Sequence, residues 1–530
     1  MESVVTRPLT SRLPWGLRLD PGAIWIWVLA GALVLYLGID GGGYDLVVRS
    51  HAAVVVWWVV LVGVAWGMLP AGRISKTAWI VLALLAGLVG WSALALTWSA
   101  SPERSLEEVS RLACYLGVLV LAVMFYGDRR GALRHVVAAV ACAVVVVVSL
   151  ALLSRLRPGL FPGAQTTTAF LPGAHARLSW PLNYWNALAG LIALALPLLL
   201  ALANSARTLL AQAASAAAIP LLALCGYLTF SRGGAIAAAV AVAAFLALTG
   251  DRIPKLATSL VCGIGSVALI AGAIHRHAVE QGQTGPVAAH QGATLIVAVI
   301  LVCAGVALAQ VGIGLAARHA TPPRVLQISP ARARVLLLAA LCACLLGAIA
   351  LGAPTRLTHA WHSFKQPNAA ALHQQTLARF GSLSGNGRYT YWKTALDAMP
   401  GHWLKGWGPG TFQFVWLPHA PFDSYIRNAH SLYVETLTEV GVVGLLLLVA
   451  FLLALLGAGI RRVVTARFQV RTWAAAVTAA CLAFIVSAAF DWIWQMPVLP
   501  VAVLLLVAAV LVDGEGRDRT GSSRPAASRS

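Results

Sequence analysis

Mostly uncharged stretches of about 17 to 22 residues recur along the chain, and each is long enough to cross a hydrocarbon core of about 30 Å as a helix. A helix is also what such a segment must form there, because lipid offers an open backbone nothing to hydrogen-bond with. Composition agrees: of 530 residues, 59% are hydrophobic and 11% charged, whereas globular chains carry about a quarter charged residues. The surplus apolar surface has to face lipid. Spans are expected at 22–38, 52–70, 77–98, 112–127, 136–154, 186–203, 209–229, 235–250, 256–274, 294–316, 335–352, 439–459, 473–490 and 497–512. The fold class is therefore an all-α polytopic membrane protein with about 14 transmembrane helices.

The formal charge of +20 does not point to nucleic acid, because Lys and Arg are scattered in ones to threes between the spans and form no basic face. They mark topology. Arg73 and Lys76, Arg129, Arg130 and Arg134, Arg207, Arg252 and Lys255, Arg318, Arg324, Arg332 and Arg334, and Arg461, Arg462, Arg467 and Arg471 all fall in short connectors on one side. The positive-inside rule makes that side cytoplasmic, together with an N-terminal tail at 1–21 and a disordered, Ser-, Arg- and Gly-rich tail at 513–530. Arg7, Arg12 and Arg18 precede a first span without a small-residue cleavage site, which reads as a retained first helix.

The opposite side receives the acids and the longer loops, 99–111, 155–185, 275–293 and, longest, 353–438. Long loops are functional or disordered, and the many aromatic residues of 353–438 argue for a partly helical structure. The chain thus divides into helices 1–11 at 22–352, a large extracytoplasmic loop at 353–438 and helices 12–14 at 439–512. All eight cysteines lie in apolar segments without metal-ligand spacing and read as small buried hydrophobes.

Within the large loop, SGNGRYTYWKTALDAMPGHWLKGWGPGTF (384–412) offers Asn386 as an N-cap and Pro400 as a stop. On the helix between them, Arg388, Trp392, Ala395 and Met399 share a face. That suits a helix at the membrane surface with Arg388 reaching lipid phosphates, or simply an interfacial arginine. Gly406, Gly408 and Gly410, with Pro409, form a tight turn. YIRNAHSLYVETLTEVGVVG (425–444) runs into a span. If Asn428 caps that helix, His430 lies in its first turn, where the helix dipole disfavours imidazolium and leaves a base; the other reading is a surface or capping histidine. Glu435 and Glu439 lie on a different face and read as structural. Arg232, in TFSRGG between two spans with almost no loop, and Arg177, before LSWPLNYWNALAG, are either anion-binding groups or interfacial anchors. Asp491, with Trp492 and Trp494, reads as an interfacial belt carrying an unexplained acid.

Taken in order, WSASPERSLEEVSRLACY, RLSWPLNYWN, TFSRGG, GRYTYWKTAL, GWGPGTF, NAHSLYVETLTEVGVVG and FDWIWQMP resemble the O-antigen ligase and O-antigen polymerase-like family of membrane glycosyltransferases. The resemblance is most specific across 384–445. It implies transfer of a glycan from an undecaprenyl-diphosphate carrier to a glycan, lipid or protein acceptor, or its polymerisation, at the outer face of the bacterial cytoplasmic membrane. By the same resemblance, His430 activates the acceptor hydroxyl, while Arg388, Arg232 and, less specifically, Arg177 hold the diphosphate. No metal or cofactor is implied. The alternative is a transporter of a small anion such as bicarbonate, which calls for ionisable residues near mid-membrane in broken helices; nearly all charges here fall at span ends.

Overall fold

A computed structural model describes residues 21–69, 74–127, 129, 131–164, 174, 176–250, 252–319, 353–365, 380, 384–421 and 425–513. The fold is all-helical, and eleven of the described helices are long and apolar enough to cross a membrane. In order they begin with α1 (Gly22–Ile39), α2 (Leu46–Ala65), α3 (Lys76–Leu94), α4 (Pro102–Tyr126) and α5 (Ala132–Leu156). Next come α6 (Trp185–Ser205), α7 (Leu209–Leu228), the shorter α8 (Arg232–Leu248), α9 (Arg252–Ile274) and α10 (Pro286–His319). Three short helices follow, α11 (Ala353–Lys365), α12 (Arg388–Asp397) and α13 (Phe412–His419). The chain then closes with α14 (Leu432–Thr465), α15 (Phe468–Phe490) and α16 (Val498–Asp513). Thirteen of the expected spans thus have a helix, two of them, α8 and α16, shorter than the rest; the fourteenth, 335–352, and both tails lie outside the described residues. The protein is a multi-pass membrane protein.

Burial sorts the helices into a centre and a rim. The most apolar stretch of α6 is 89% buried, that of α15 72% and that of α10 only 11%, so α6 and α15 form the middle and α10 presents its sides to lipid. Where α6, α8 and α15 meet, the contact is made by Ala193, Ala237, Ala241 and Ala483. Small residues suit that place, because helices in lipid associate by close packing rather than by escaping water. Of the six described cysteines, all unbridged, Cys114, Cys225, Cys262 and Cys481 are buried as expected, but Cys303 is half-buried and Cys142 is exposed on the outer side of its helix; Cys342 and Cys344 lie outside the described residues.

Among the described residues, basic side chains of the connectors at one end of the bundle satisfy the ends of helices. Arg129 donates to the Gly22 carbonyl at 3.2 Å, Arg471 to Leu248 at 3.0 Å and Lys255 to Gly250 at 2.5 Å. The loops and short helices pack at the other end, the site face.

Helix α14 is broken there. Gly441 has φ 70 and ψ −170, a conformation open only to glycine. The backbone groups freed by the break are satisfied by the glycine-rich turn: Trp407 N–H donates to Thr438 O at 3.0 Å, Gly408 N–H to Glu439 O at 2.7 Å, and Val442 N–H to Trp403 O at 2.8 Å. Trp91 Nε1 donates to Val440 O at 2.8 Å. Irregular backbone at a membrane-spanning helix is tolerated when protein covers it in this way. A Cβ on Gly441 would lie 2.3 Å from Leu404 O, and one on Gly406 2.3 Å from Glu439 O. The glycines at 406, 408 and 410 thus dock the turn against the rest of the fold.

Candidate functional site

The site is assembled by four short segments whose backbones leave their helices abruptly. Among the described residues, four non-glycine residues have positive φ, namely Asn183, Phe230, Asn386 and His430, and all four belong to this site. Asn tolerates the left-handed region, but Phe and His adopt it at a cost of about 1 to 3 kcal/mol each. Surrounding contacts hold them there, as at other sites where geometry outranks local comfort.

At the centre stands Asp491, in the turn between α15 and α16. It is not part of an interfacial belt: it is buried, and it collects four side chains. His430 Nδ1 lies 3.1 Å from Oδ1, and the Arg388 guanidinium donates through Nη2 to Oδ2 at 3.0 Å. Tyr184 Oη donates to Oδ1 and Asn186 Nδ2 to Oδ2. Burial alone would raise the Asp491 pKa, but the hydrogen bond and charge of His430, the charge of Arg388 and the Tyr184 hydroxyl outweigh it, so the carboxyl is held well below the usual carboxylate range. Burial and the Asp491 charge push the Tyr184 hydroxyl well above its ordinary value, which keeps it a donor.

His430 precedes α14 instead of lying in its first turn. Ser431 is the N-cap, and Asn428 turns its amide to Glu435, donating to Oε1 at 2.9 Å. Glu435 also accepts from Ala429 N–H at 2.8 Å and from Gln495 Nε2. It pins the residues before His430 to the same α15–α16 turn that carries Asp491. Glu439 accepts from Phe412 N–H at 3.2 Å. Both glutamates are therefore loop anchors, and the imidazole is aimed by Asp491.

Helix α12 departs from its expected setting too. Its N-cap is Gly387, not Asn386, and Arg388 turns toward the Asp491 carboxylate. Besides Asp491 it reaches Phe490 O through Nε at 2.8 Å. The face below it packs on protein: Ala395 and Met399 are buried, and Trp392 Nε1 donates to Ala429 O at 3.0 Å.

Arg232 opens α8, where Ser231 Oγ caps Gly234 N–H at 3.1 Å. Its Nη2 donates to Ser384 O at 2.7 Å, while Arg388 Nη1 reaches the next carbonyl, Gly385 O, at 3.5 Å. The two arginines thus meet on one backbone segment. Arg177 donates from Nε to Thr229 O at 2.9 Å and from Nη2 to Phe230 O at 3.2 Å and Asn186 Oδ1 at 3.1 Å, with its guanidinium over the Trp185 ring. It ties the Phe230 and Asn186 segments together. All four candidate residues are in one neighbourhood, and Asp491, Tyr184 and Asn186 join them.

Fold and site together define a multi-pass membrane protein with a charged centre at one end of its bundle. Residues 291–449 match a family model described as O-antigen ligase, which supports an O-antigen ligase-like family assignment and, with it, glycan transfer of the ligase or polymerase type in polysaccharide biosynthesis. The matched stretch contains Arg388 and His430 but not Arg177, Arg232 or Asp491. It lends no support to the transporter alternative. No curated protein matches the chain in sequence.

Proposed function

We propose that the protein transfers a glycan from a polyprenyl-diphosphate carrier, of the undecaprenyl type, to an acceptor hydroxyl, or polymerises such glycans, at the outer face of the cytoplasmic membrane. The observation that carries this reading is the Asp491 carboxylate held between His430 and Arg388. With Nδ1–H directed at Asp491, the imidazole presents Nε2 as a proton acceptor. His430 would remove the acceptor's proton as its oxygen forms the bond to the anomeric carbon and the bond to the diphosphate breaks. The electron pair leaves on the diphosphate, where Arg388 and Arg232 stabilise the developing charge, and attack from the opposite face inverts the anomeric centre. Arg177 holds the walls on which these groups stand.

Assigning the site face to the outside rests on the basic connectors at the other end. The reading is tested with purified protein in reconstituted membranes, supplied with an undecaprenyl-diphosphate-linked glycan. Release of undecaprenyl diphosphate coupled to glycan transfer supports it. Binding of the carrier without any transfer across a panel of glycan, lipid and protein acceptors would count against it.

A further inference from the structure

A second cationic cluster lies on the same face, against the other side of the His430 loop. Arg49 near the start of α2, Arg104 near the start of α4 and Arg427, just before His430 in its loop, converge on one carboxylate, Glu107. Their closest nitrogen–oxygen separations are 3.4, 3.2 and 4.0 Å, longer than the 2.7–2.9 Å or so of a tight charge-assisted contact. Three guanidiniums share a carboxylate that can fully engage only one of them as a fork.

Nearby acids do not make up the difference. Glu108 is taken by Arg111, itself a neighbouring cation, and Asp45 caps Val47 N–H at 2.8 Å. The Arg49 side chain is only 6% exposed, donates to Tyr44 O at 3.3 Å, and keeps an Nε that is buried without a hydrogen-bond partner among the described residues. A buried guanidinium left partly unsatisfied costs free energy unless an acceptor arrives. Arg104 and Arg427 are 37% and 40% exposed, so the cluster has an open side. Arg427 lies over the Tyr44 ring, Tyr44 packs on Trp492, and Trp492 stacks on Tyr184, the residue that donates to Asp491. An aromatic wall thus separates this cluster from the Asp491 centre.

We propose that Arg49, Arg104 and Arg427 form a second oxyanion site, which takes a phosphate or diphosphate group. Planar guanidinium forks suit the oxygens of such a group, and the site rests on no part of the glycan-transfer reading. The test is calorimetric titration of inorganic diphosphate into the full-length protein in phosphatidylcholine nanodiscs. Two sites per chain are expected. Arg104→Ala and Arg427→Ala should each weaken one of them about tenfold or more, the size of a charged hydrogen bond, and their combination should abolish it. That site should persist in Arg388→Ala, which removes the other; persistence of both sites in Arg388→Ala would sink the carrier reading and leave this one standing. Glu107→Gln should tighten the second site several-fold, because it removes the competing carboxylate. Unchanged stoichiometry and affinity in the double variant, or weaker binding in Glu107→Gln, would overturn the proposal and make the cluster an internal ion-pair network. Repeating the titration in phosphatidylglycerol nanodiscs separates the sources: loss of this site alone identifies a lipid headgroup, and its persistence a soluble or substrate-borne phosphate.

Discussion

His430 Nδ1 lies 3.1 Å from Asp491 Oδ1, across 61 residues of sequence. The contact assigns the histidine its tautomer and ties the loop before α14 to the turn after α15. His430→Ala is expected to lower glycan turnover by about 100-fold or more, the usual size of a general-base contribution, with carrier affinity nearly intact. Asp491→Asn keeps the shape but no longer holds the proton on Nδ1, so it should also act on kcat more than on KM. Unimpaired turnover in His430→Ala would remove the base assignment.

Arg388→Ala should weaken carrier binding as well as turnover, because phosphate contacts precede the transition state and strengthen within it. Arg388→Lys should restore only part of the loss, since lysine keeps the charge without the fork that spans Asp491 and the Phe490 carbonyl. Carrier affinity and single-turnover rates, measured separately, check this; full rescue by lysine would contradict it.

The depressed Asp491 pKa has a stability consequence. When a carboxyl is held below its ordinary value of about 3.9 in the native state, the unfolded chain takes up the proton first. Its stabilisation is therefore complete above that value and is lost as pH falls through the native one. The gap in Tm between the wild type and Asp491→Asn should be full near pH 5 and shrink as pH falls below about 4. Thermal melts across that range decide it; a gap that widens on acidification would refute the assignment.

Gly441→Ala should be strongly destabilising. The backbone conformation alone costs an alanine about 1 to 3 kcal/mol, and its Cβ would press on Leu404 O at 2.3 Å. Fluorescence-detected size exclusion after heating should show a clear loss of stability, larger than for alanine at Gly457, where the added carbon meets nothing within 4 Å.

Topology is checked by single-cysteine labelling in a cysteine-free background. A cysteine at position 365 should react with an impermeant reagent in intact cells, whereas one at 461 or 467 should react only after the membrane is breached. The reverse pattern would invert the orientation and, with it, the face assigned to the site.

Length and polarity were enough to read the helices from sequence. Each apolar stretch satisfies its own backbone and meets lipid as a unit, so thirteen expected spans have helices at nearly the expected places. Helix starts were less legible: α14 begins at Leu432 with Ser431 as its N-cap, not at an Asn428 cap, because Asn428 turns its amide to Glu435 instead. Arg388 and His430 were singled out within the large loop, and Arg232 and Arg177 close to spans, by residue type together with the family resemblance. Asp491 was not. An acid followed by two tryptophans at a span end looks the same in sequence whether it faces water or collects four side chains, and nothing local names His430, Arg388, Tyr184 and Asn186 as its partners.

The same holds for the break at Gly441, whose glycine is ordinary in an apolar run until Leu404 passes close by, and for Glu107, whose three arginines come from α2, α4 and the His430 loop. Sequence by itself determined which segments span and which residues are chemically capable, because those are properties of local composition. Tertiary packing decided which charges meet at Asp491 and which distant arginines join Arg104 at Glu107, because those partners come from segments far apart in the chain, and the direction of the Asp491 pKa shift follows from them.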